Sequence, residues 1–194
     1  MEVPVARVVS TYHYILGHPK HALHADLVRA DAPLDEFLRI DPSVDNHQTR
    51  MVSGRGGGEL TARAPEPLGS DALEEAKANL ERFLVVGLTE RFDETFILLR
   101  RALGWRLPYY VTANVAGGPK PMTDSARALI RERNQLDLEL YRFADGLLSA
   151  AVAKQGPSFP REVVAFKALN RVPNVINRHL SGRPRRALRA TLPR

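Results

Sequence analysis

Residues 70–104, SDALEEAKANLERFLVVGLTERFDETFILLRRALG, carry the pattern on which the fold prediction depends. Apolar side chains recur at helical spacing after Ser70, and either Ser70 or Asp71 can cap this helix. Residues 83–88, FLVVGL, form a short apolar run rich in β-branched side chains, and such a run predicts a buried strand. Thr89 can cap a second helix, which Gly104 ends. The stretch therefore predicts a helix, a strand and a helix in succession.

The flanking segments extend this pattern in both directions. Residues 5–16 have the apolar stripe of an amphipathic helix that begins just after Pro4. Residues 45–54, DNHQTRMVSG, predict a short helix or turn that ends in glycine. Residues 109–115, YYVTANV, have the composition of a second strand. Thr123 begins a long helix that we expect to continue to about Ala153.

Helices that alternate with strands predict an α/β protein, here predominantly helical with a small residual parallel sheet. Two parallel strands are marginal by themselves. Residues 54–69, GRGGGELTARAPEPLG, predict a flexible surface loop, because a phosphate-binding loop would need a preceding strand and a following Lys-Ser or Lys-Thr pair. We assign residues 1–153 to one domain and residues 154–194 to a Pro/Arg-rich basic tail of poor order.

Composition excludes several classes of protein. The 194 residues include 44% apolar and 26% charged side chains, which is ordinary for a soluble globular domain. The absence of cysteine excludes disulfides, thiolate metal sites and cysteine nucleophiles. We expect a cytoplasmic protein without a membrane span, because no uncharged apolar run is long enough. From Lys154 onward, ten Lys/Arg face one acid, so the net charge of +6 originates in the tail.

Several blocks resemble one known family. The opening segment, residues 45–54, residues 73–105 and the block NQLDLELYRFADGLL at 134–148 occur in the order typical of the family 2 sulfotransferases. That family includes the heparan sulfate 2-O- and 6-O-sulfotransferases and bacterial relatives. The resemblance covers roughly residues 4–150. It implies a fold similar to P-loop kinases and transfer of a sulfuryl group from 3′-phosphoadenosine 5′-phosphosulfate (PAPS) to a carbohydrate hydroxyl.

The resemblance also implies site residues. The segment VPVARVVSTY matches the family junction that binds the 3′-phosphate of PAPS, which assigns Ser10 as a hydroxyl donor to that phosphate. Arg7 would lie on the phosphate or in a structural ion pair. Lys120 falls in a loop that closes over the nucleotide in the family. Asn46 and Arg50 match a motif near the acceptor cleft, where a guanidinium suits anionic sugar groups.

Other family features have no counterpart here. The family's phosphate-binding Arg falls on Glu2, and its Asp falls on Val3. The loop for the 5′-phosphosulfate and the catalytic base precede this junction in the family. We therefore expect a chain that begins late, as a fragment, a misplaced start or a degenerate copy, with catalytic residues that the sequence does not identify.

Three functions stay open at this point. The first is a PAPS-dependent sulfotransferase of carbohydrate-type acceptors, inactive as this chain if the donor loop and base are missing. The second is a non-catalytic binding protein for acidic glycan or another anionic polymer. The third is a chain whose apolar sheet edge pairs with a partner chain. Nucleic acid is not expected as a partner, because no aromatic residue follows Phe166 on which bases could stack.

Four histidines, His13, His18, His21 and His24, stand close together in the sequence. Helical spacing of the last two suits a metal site or a catalytic base. No carboxylate-rich motif accompanies them, so surface histidines are the favoured interpretation and no metal is assigned. The sequence gives no prediction of the oligomeric state.

Overall fold

A computed structural model of the chain describes residues 3–29, 31, 33–40, 44–56, 66–105, 110 and 122–180, with side chains through residue 171. These segments form α-helices joined by turns, with a short 3-10 helix at Thr89–Arg91. In chain order the helices are α1 (Val3–Leu16), α2 (His24–Arg29), α3 (Leu34–Ile40), α4 (His47–Ser53), α5 (Ser70–Glu81), α6 (Phe92–Leu103), α7 (Asp124–Arg133), α8 (Gln135–Ala153) and α9 (Phe159–Leu180). Among the described residues, no helix has the length and hydrophobicity required to cross a membrane.

The predicted α/β fold, P-loop-kinase-like with a small parallel sheet, is wrong for the described residues, because none of them lies in a strand. Residues 83–88 do leave the helix, but a strand requires backbone hydrogen bonds to a neighbouring strand. No such neighbour exists among the described residues, and Phe83 and Leu84 are exposed by 58% and 70%. The second predicted strand, 109–115, lies outside the described residues except for Tyr110.

Two compact units make up the chain. The first spans Met1–Val86 and Ala116–Leu147, and the second spans Gly87–Val115 and Leu148–Arg194. The chain passes from one unit to the other at three points, and the last of these, between Leu147 and Leu148, falls within α8. This arrangement differs from the division into residues 1–153 and 154–194 that composition suggests. Residues 159–180 of that basic segment form α9, with a buried apolar face, whereas residues 181–194 lie outside the described part.

The first unit is built on the apolar face of α1. Its core joins α1, α2, α3 and α7 through ten buried side chains: Val5, Val8, Val9, Ile15, Leu27, Phe37, Leu38, Val44, Ala126 and Ile130. The predicted stripe of residues 5–16 is confirmed, since its apolar members are buried or pack against this core. Deep burial of aliphatic side chains on one helix face is the main favourable term in such a unit.

The second unit contains α6 and α9. An aromatic cluster joins them: the Phe96 and Phe166 rings are stacked with centroids 5.1 Å apart, and Tyr110 lies 4.7 Å from Phe92 edge to face. Glu162 of α9 pairs with two arginines of α6, Arg100 and Arg101. Apolar and charged contacts therefore both connect the two helices.

Candidate functional site

Two polar segments far apart in sequence meet inside the first unit. Asn46 precedes α4, and its backbone N–H donates to the side-chain oxygen of Asn134 over 3.1 Å. The Asn46 side-chain oxygen in turn accepts from the backbone N–H groups of Leu136 and Asp137, at 2.9 and 3.2 Å. Asn46 has φ 46° and ψ 37°, a left-handed conformation that asparagine tolerates better than most residues. The start of α8 is thus capped by a residue about 90 positions away.

Asp137 in turn caps α4. Its carboxylate accepts from the backbone N–H groups of Gln48 and Thr49, at 3.1 and 2.7 Å, and from the Thr49 hydroxyl at 2.8 Å. Asp137 is only 1% exposed. A carboxylate at this position satisfies donors that a helix leaves unpaired at its N-terminus and is favoured by the helix dipole.

Arg7 of α1 completes this polar cluster. Its Nη2 donates to the Val44 carbonyl over 2.9 Å and to the Asn134 side-chain oxygen over 3.3 Å, and lies 3.5 Å from the Asp137 carboxylate. Burial lowers the pKa of Arg7, and the nearby Asp137 and Asp45 oppose that shift. The family resemblance leaves Arg7 on a phosphate or in a structural ion pair, and the structure places it in the ion pair.

The break between α7 and α8 belongs to the same cluster. Asn134 is 0% exposed and has φ −122° and ψ 34°, so the predicted continuous helix from Thr123 to about Ala153 is interrupted there. Its side-chain amide donates to the Ile130 carbonyl, and its oxygen accepts from Arg7 and Asn46. The start of the helix at Thr123 is confirmed, because the Thr123 hydroxyl caps the Ala126 N–H.

Arg50 of α4 is a buried cation with few partners. It is 7% exposed, and its Nη2 donates to the Glu66 carbonyl over 2.8 Å. Its Nε has no hydrogen-bond partner, and Arg50 makes no ion pair within the part of the chain that the structure describes. A buried guanidinium without a carboxylate is costly, and its planar donors suit an anionic group.

Ser10 lies apart from this cluster. It is exposed on α1, and its hydroxyl makes no hydrogen bond to the described residues, whereas Arg7 one turn earlier is directed into the polar cluster. Lys120 lies outside the described residues. Of the predicted site residues, Arg7 and Asn46 therefore lie close together, because both bind Asn134. Arg50 lies one helical turn after Asn46 on α4, and Ser10 lies on the surface.

Sequence reasoning from the motifs missed Asn134, Asp137 and Thr49 as members of the cluster. A signal was present, since Asn134 and Asp137 interrupt the apolar pattern of the block at 134–148. Polar residues at otherwise apolar helix positions are buried only with hydrogen-bond partners. Their partners could not be named from sequence, because they lie 88 to 127 residues away.

Of the four histidines, His13 lies in α1, His18 and His21 follow that helix, and His24 begins α2. His18 and His24 donate from Nδ1 to the carbonyls of Tyr14 and Ile15, at 2.6 and 2.9 Å. His21 accepts at Nδ1 from the Leu23 N–H over 3.2 Å. Within the described segments, no group of three His, Asp or Glu side chains is arranged to hold a metal ion.

Comparison of the chain with protein-family models, curated proteins and solved structures finds no match.

Proposed function

We propose that this chain is a PAPS-dependent sulfotransferase of carbohydrate-type acceptors related to the family 2 enzymes. The observation that carries the proposal is the mutual capping of Asn46 and Asp137. The two residues come from separate blocks of the resemblance, 45–54 and 134–148, and each block supplies the hydrogen-bond partners of the other. The contact brings the two blocks side by side in the first unit, as residues of one site would have to be.

Ser10 fits the role of a ligand for the 3′-phosphate of PAPS. Its hydroxyl is exposed and has no partner among the described residues, so it can donate to an incoming phosphate oxygen. Arg7 does not fit that role, because it is bound to Val44 and Asn134 and paired with Asp137. We therefore assign Arg7 a positioning role for α1, and Ser10 the direct contact. We assign Lys120 as a second donor-binding residue on the resemblance alone.

Arg50 is the proposed residue for the acceptor. Its guanidinium is buried and lacks an acidic partner in the described segments, which suits a sulfate or carboxylate group on a sugar. Asn46 would influence acceptor binding only indirectly, by positioning α4, because its side chain is bound to the start of α8. PAPS supplies the sulfuryl group and the leaving group PAP (3′-phosphoadenosine 5′-phosphate), so the acceptor hydroxyl becomes a sulfate ester and releases its proton.

Titration of the full chain with PAP by isothermal calorimetry tests this proposal. We expect micromolar binding, weakened about tenfold or more by Ser10→Ala, because a hydrogen bond to a charged group contributes roughly 1.5–3 kcal/mol. Ser70→Ala, an exposed serine at the start of α5, is the matched control and should bind PAP as the unmodified chain does. Absence of PAP binding, or equal affinities for the two variants, would contradict the proposal.

A second candidate function is non-catalytic binding of acidic glycan. Arg50 also favours this function, because it is buried and has no acidic partner among the described residues. The same titration separates the two functions. Binding of a sulfated oligosaccharide without any binding of PAP would favour this second candidate. Binding of both ligands would favour the sulfotransferase.

A further inference from the structure

Helix α9 carries apolar side chains on two opposite faces. The buried face contains Phe159, Val163, Phe166 and Asn170. The opposite face recurs at helical spacing and contains four exposed apolar residues, Val164, Ala165, Ala168 and Leu169. Val164 and Leu169 are 68% and 63% exposed, so this second apolar stripe has no cover within the described part of the chain. We call these four residues the outer face of α9.

Basic side chains border the outer face. Lys167 and Arg171 are four residues apart and therefore follow one edge of the face, one helical turn from each other. Arg161 stands at the beginning of the face, three residues before Val164. All three basic side chains are exposed, and none of them forms an ion pair with an acid of the described segments. The face therefore combines an apolar centre with a positively charged border.

The acid nearest in sequence to these cations is already engaged. Glu162 is the only acid of α9, and it is paired with Arg100 and Arg101 of α6. Residues 163–194 contain no Asp or Glu. A second copy of the chain that packed through its own α9 would therefore bring cations against cations. The partner of the outer face has to supply the negative charge itself and also accept aliphatic side chains.

We propose that the outer face of α9 docks on the surface of an anionic phospholipid bilayer. Val164 and Leu169 enter the boundary between head groups and acyl chains, while the basic border contacts lipid phosphates and carboxylates. The helix lies in the plane of the interface, because its opposite face packs against α6. An acidic protein partner fits less well, because protein interfaces depend on aromatic anchors and the outer face has none. The proposal goes beyond sulfuryl transfer, since none of these residues is assigned to the donor or the acceptor.

Cosedimentation of the full chain with lipid vesicles tests the apolar part of this inference. We expect binding to vesicles of phosphatidylcholine that contain about one third phosphatidylserine, and much weaker binding to pure phosphatidylcholine. Leu169→Ala should weaken binding to the anionic vesicles about three- to tenfold, because it removes methyl groups that leave water on docking. Leu84→Ala is the matched control, because Leu84 is 70% exposed but follows α5.

A second pair of variants tests the charged border. Lys167→Gln/Arg171→Gln should weaken binding to the anionic vesicles about 10- to 30-fold, because each basic residue near such a surface contributes roughly a fivefold effect. Lys20→Gln/Arg82→Gln is the control, because it removes the same charge from exposed positions outside α9. At physiological ionic strength the screening length is about 8 Å, so cations away from the docked face should contribute little.

The outcomes separate this inference from the proposed function. Weaker vesicle binding by both α9 variants, with binding retained by their controls, supports the docking face whether or not PAP binds. Absence of binding to the anionic vesicles, or equal effects of the α9 variants and their controls, would overturn it. Self-association that depends on concentration and is lost in Leu169→Ala would overturn it in favour of a second copy. Circular dichroism should show unchanged helix content in every variant, since the substituted side chains are exposed.

Discussion

Asn46 and Asp137 each cap the helix to which the other belongs. The Asn46 amide oxygen accepts two backbone N–H groups at the start of α8, and the Asp137 carboxylate accepts two at the start of α4. Asn46 makes no side-chain cap to α4, the helix that it precedes. This exchange fixes the position of α4 against the start of α8 with directional bonds rather than with apolar contact alone.

Replacement of Asp137 should destabilise the first unit strongly. Asp137→Asn removes the charge that pairs with Arg7 at 3.5 Å and weakens the cap of α4. We expect the free energy of unfolding to fall by about 2–4 kcal/mol. This loss is somewhat smaller than the loss on breaking a fully buried ion pair, because the Arg7 side chain is 21% exposed. Urea unfolding measures the loss. Asp124→Asn, at a fully exposed site, should change stability by less than about 0.5 kcal/mol, and similar losses for both would contradict the role of Asp137.

Substitutions at Asn46 should separate the cap from the backbone conformation. Asn46→Gly keeps the left-handed conformation at φ 46° but removes both hydrogen bonds to α8, at a cost of about 1–2 kcal/mol. Asn46→Ala should cost about 1 kcal/mol more, because alanine is strained in that conformation. Thermal unfolding followed by circular dichroism gives the order. An alanine variant as stable as the glycine variant would show that the conformation is not maintained.

Gly87 should not tolerate a larger side chain. A Cβ atom at this position would lie 2.0 Å from the Thr95 Cγ2 atom, and Thr95 is held by the Leu88 N–H and the Arg91 carbonyl. We expect Gly87→Ala to lower the free energy of unfolding by roughly 1–3 kcal/mol.

A second glycine provides the control for Gly87. Gly146 lies within α8, and a Cβ atom added there would have no described atom within 4 Å, so Gly146→Ala should raise stability by about 0.5–1 kcal/mol. The double variant Gly87→Ala/Thr95→Ser removes the closest clashing atom and should recover part of the loss. Equal effects of alanine at the two glycines, measured in urea, would contradict the close approach to Thr95.

Tyr110 should make stability depend on alkaline pH. Burial, with the hydrogen bond to Asp93, raises the pKa of Tyr110 to about 12 from an ordinary value of 10.0. Between these values the folded chain retains a proton that the unfolded chain releases. The stabilisation is therefore complete below pH 10 and is lost as the pH rises toward 12.

Absorbance at the tyrosinate band and urea unfolding both check this dependence. Tyr110→Phe should remove the last component of the tyrosine titration and flatten the alkaline decline in unfolding free energy relative to the unmodified chain. The comparison is needed because lysines also lose protons in this range. An unchanged alkaline decline in the variant would show that Tyr110 does not cause it.

The agreement between sequence and structure is greatest where the interactions are local. The apolar stripe of α1, the glycine that ends α4 and the threonine that caps α7 each depend on neighbours within one or two helical turns. The sequence predicts Ser70 as a cap for α5 and Thr89 as the cap for α6. In the structure Gly69 precedes α5 and Arg91 precedes α6, and neither makes a side-chain cap. Several residue types satisfy a helix end, so composition alone does not select one.

The candidate site is less accessible to sequence reasoning. The family resemblance selects Arg7, Ser10, Asn46 and Arg50. It does not show which of these side chains already bind other residues of the chain. That distinction depends on where each side chain finds a partner. Arg7 and Asn46 bind residues far away in the chain, at 44 and 134 for Arg7 and at 136 and 137 for Asn46. In the described segments, the exposed Ser10 hydroxyl has no acceptor, and Arg50 donates to the Glu66 carbonyl but has no acidic partner.

The sequence by itself determined α1, α5 and α6 and the face of α1 that is buried, because hydrophobic periodicity acts within a few residues, but it did not predict α9. Only the tertiary structure decided that residues 83–88 have no strand partner among the described residues, and that the long helix after Thr123 breaks at Asn134. Both outcomes depend on hydrogen bonds to distant residues, which a local pattern does not specify. The break at Asn134 is stabilised because Arg7 and Asn46 supply donors there from other parts of the chain.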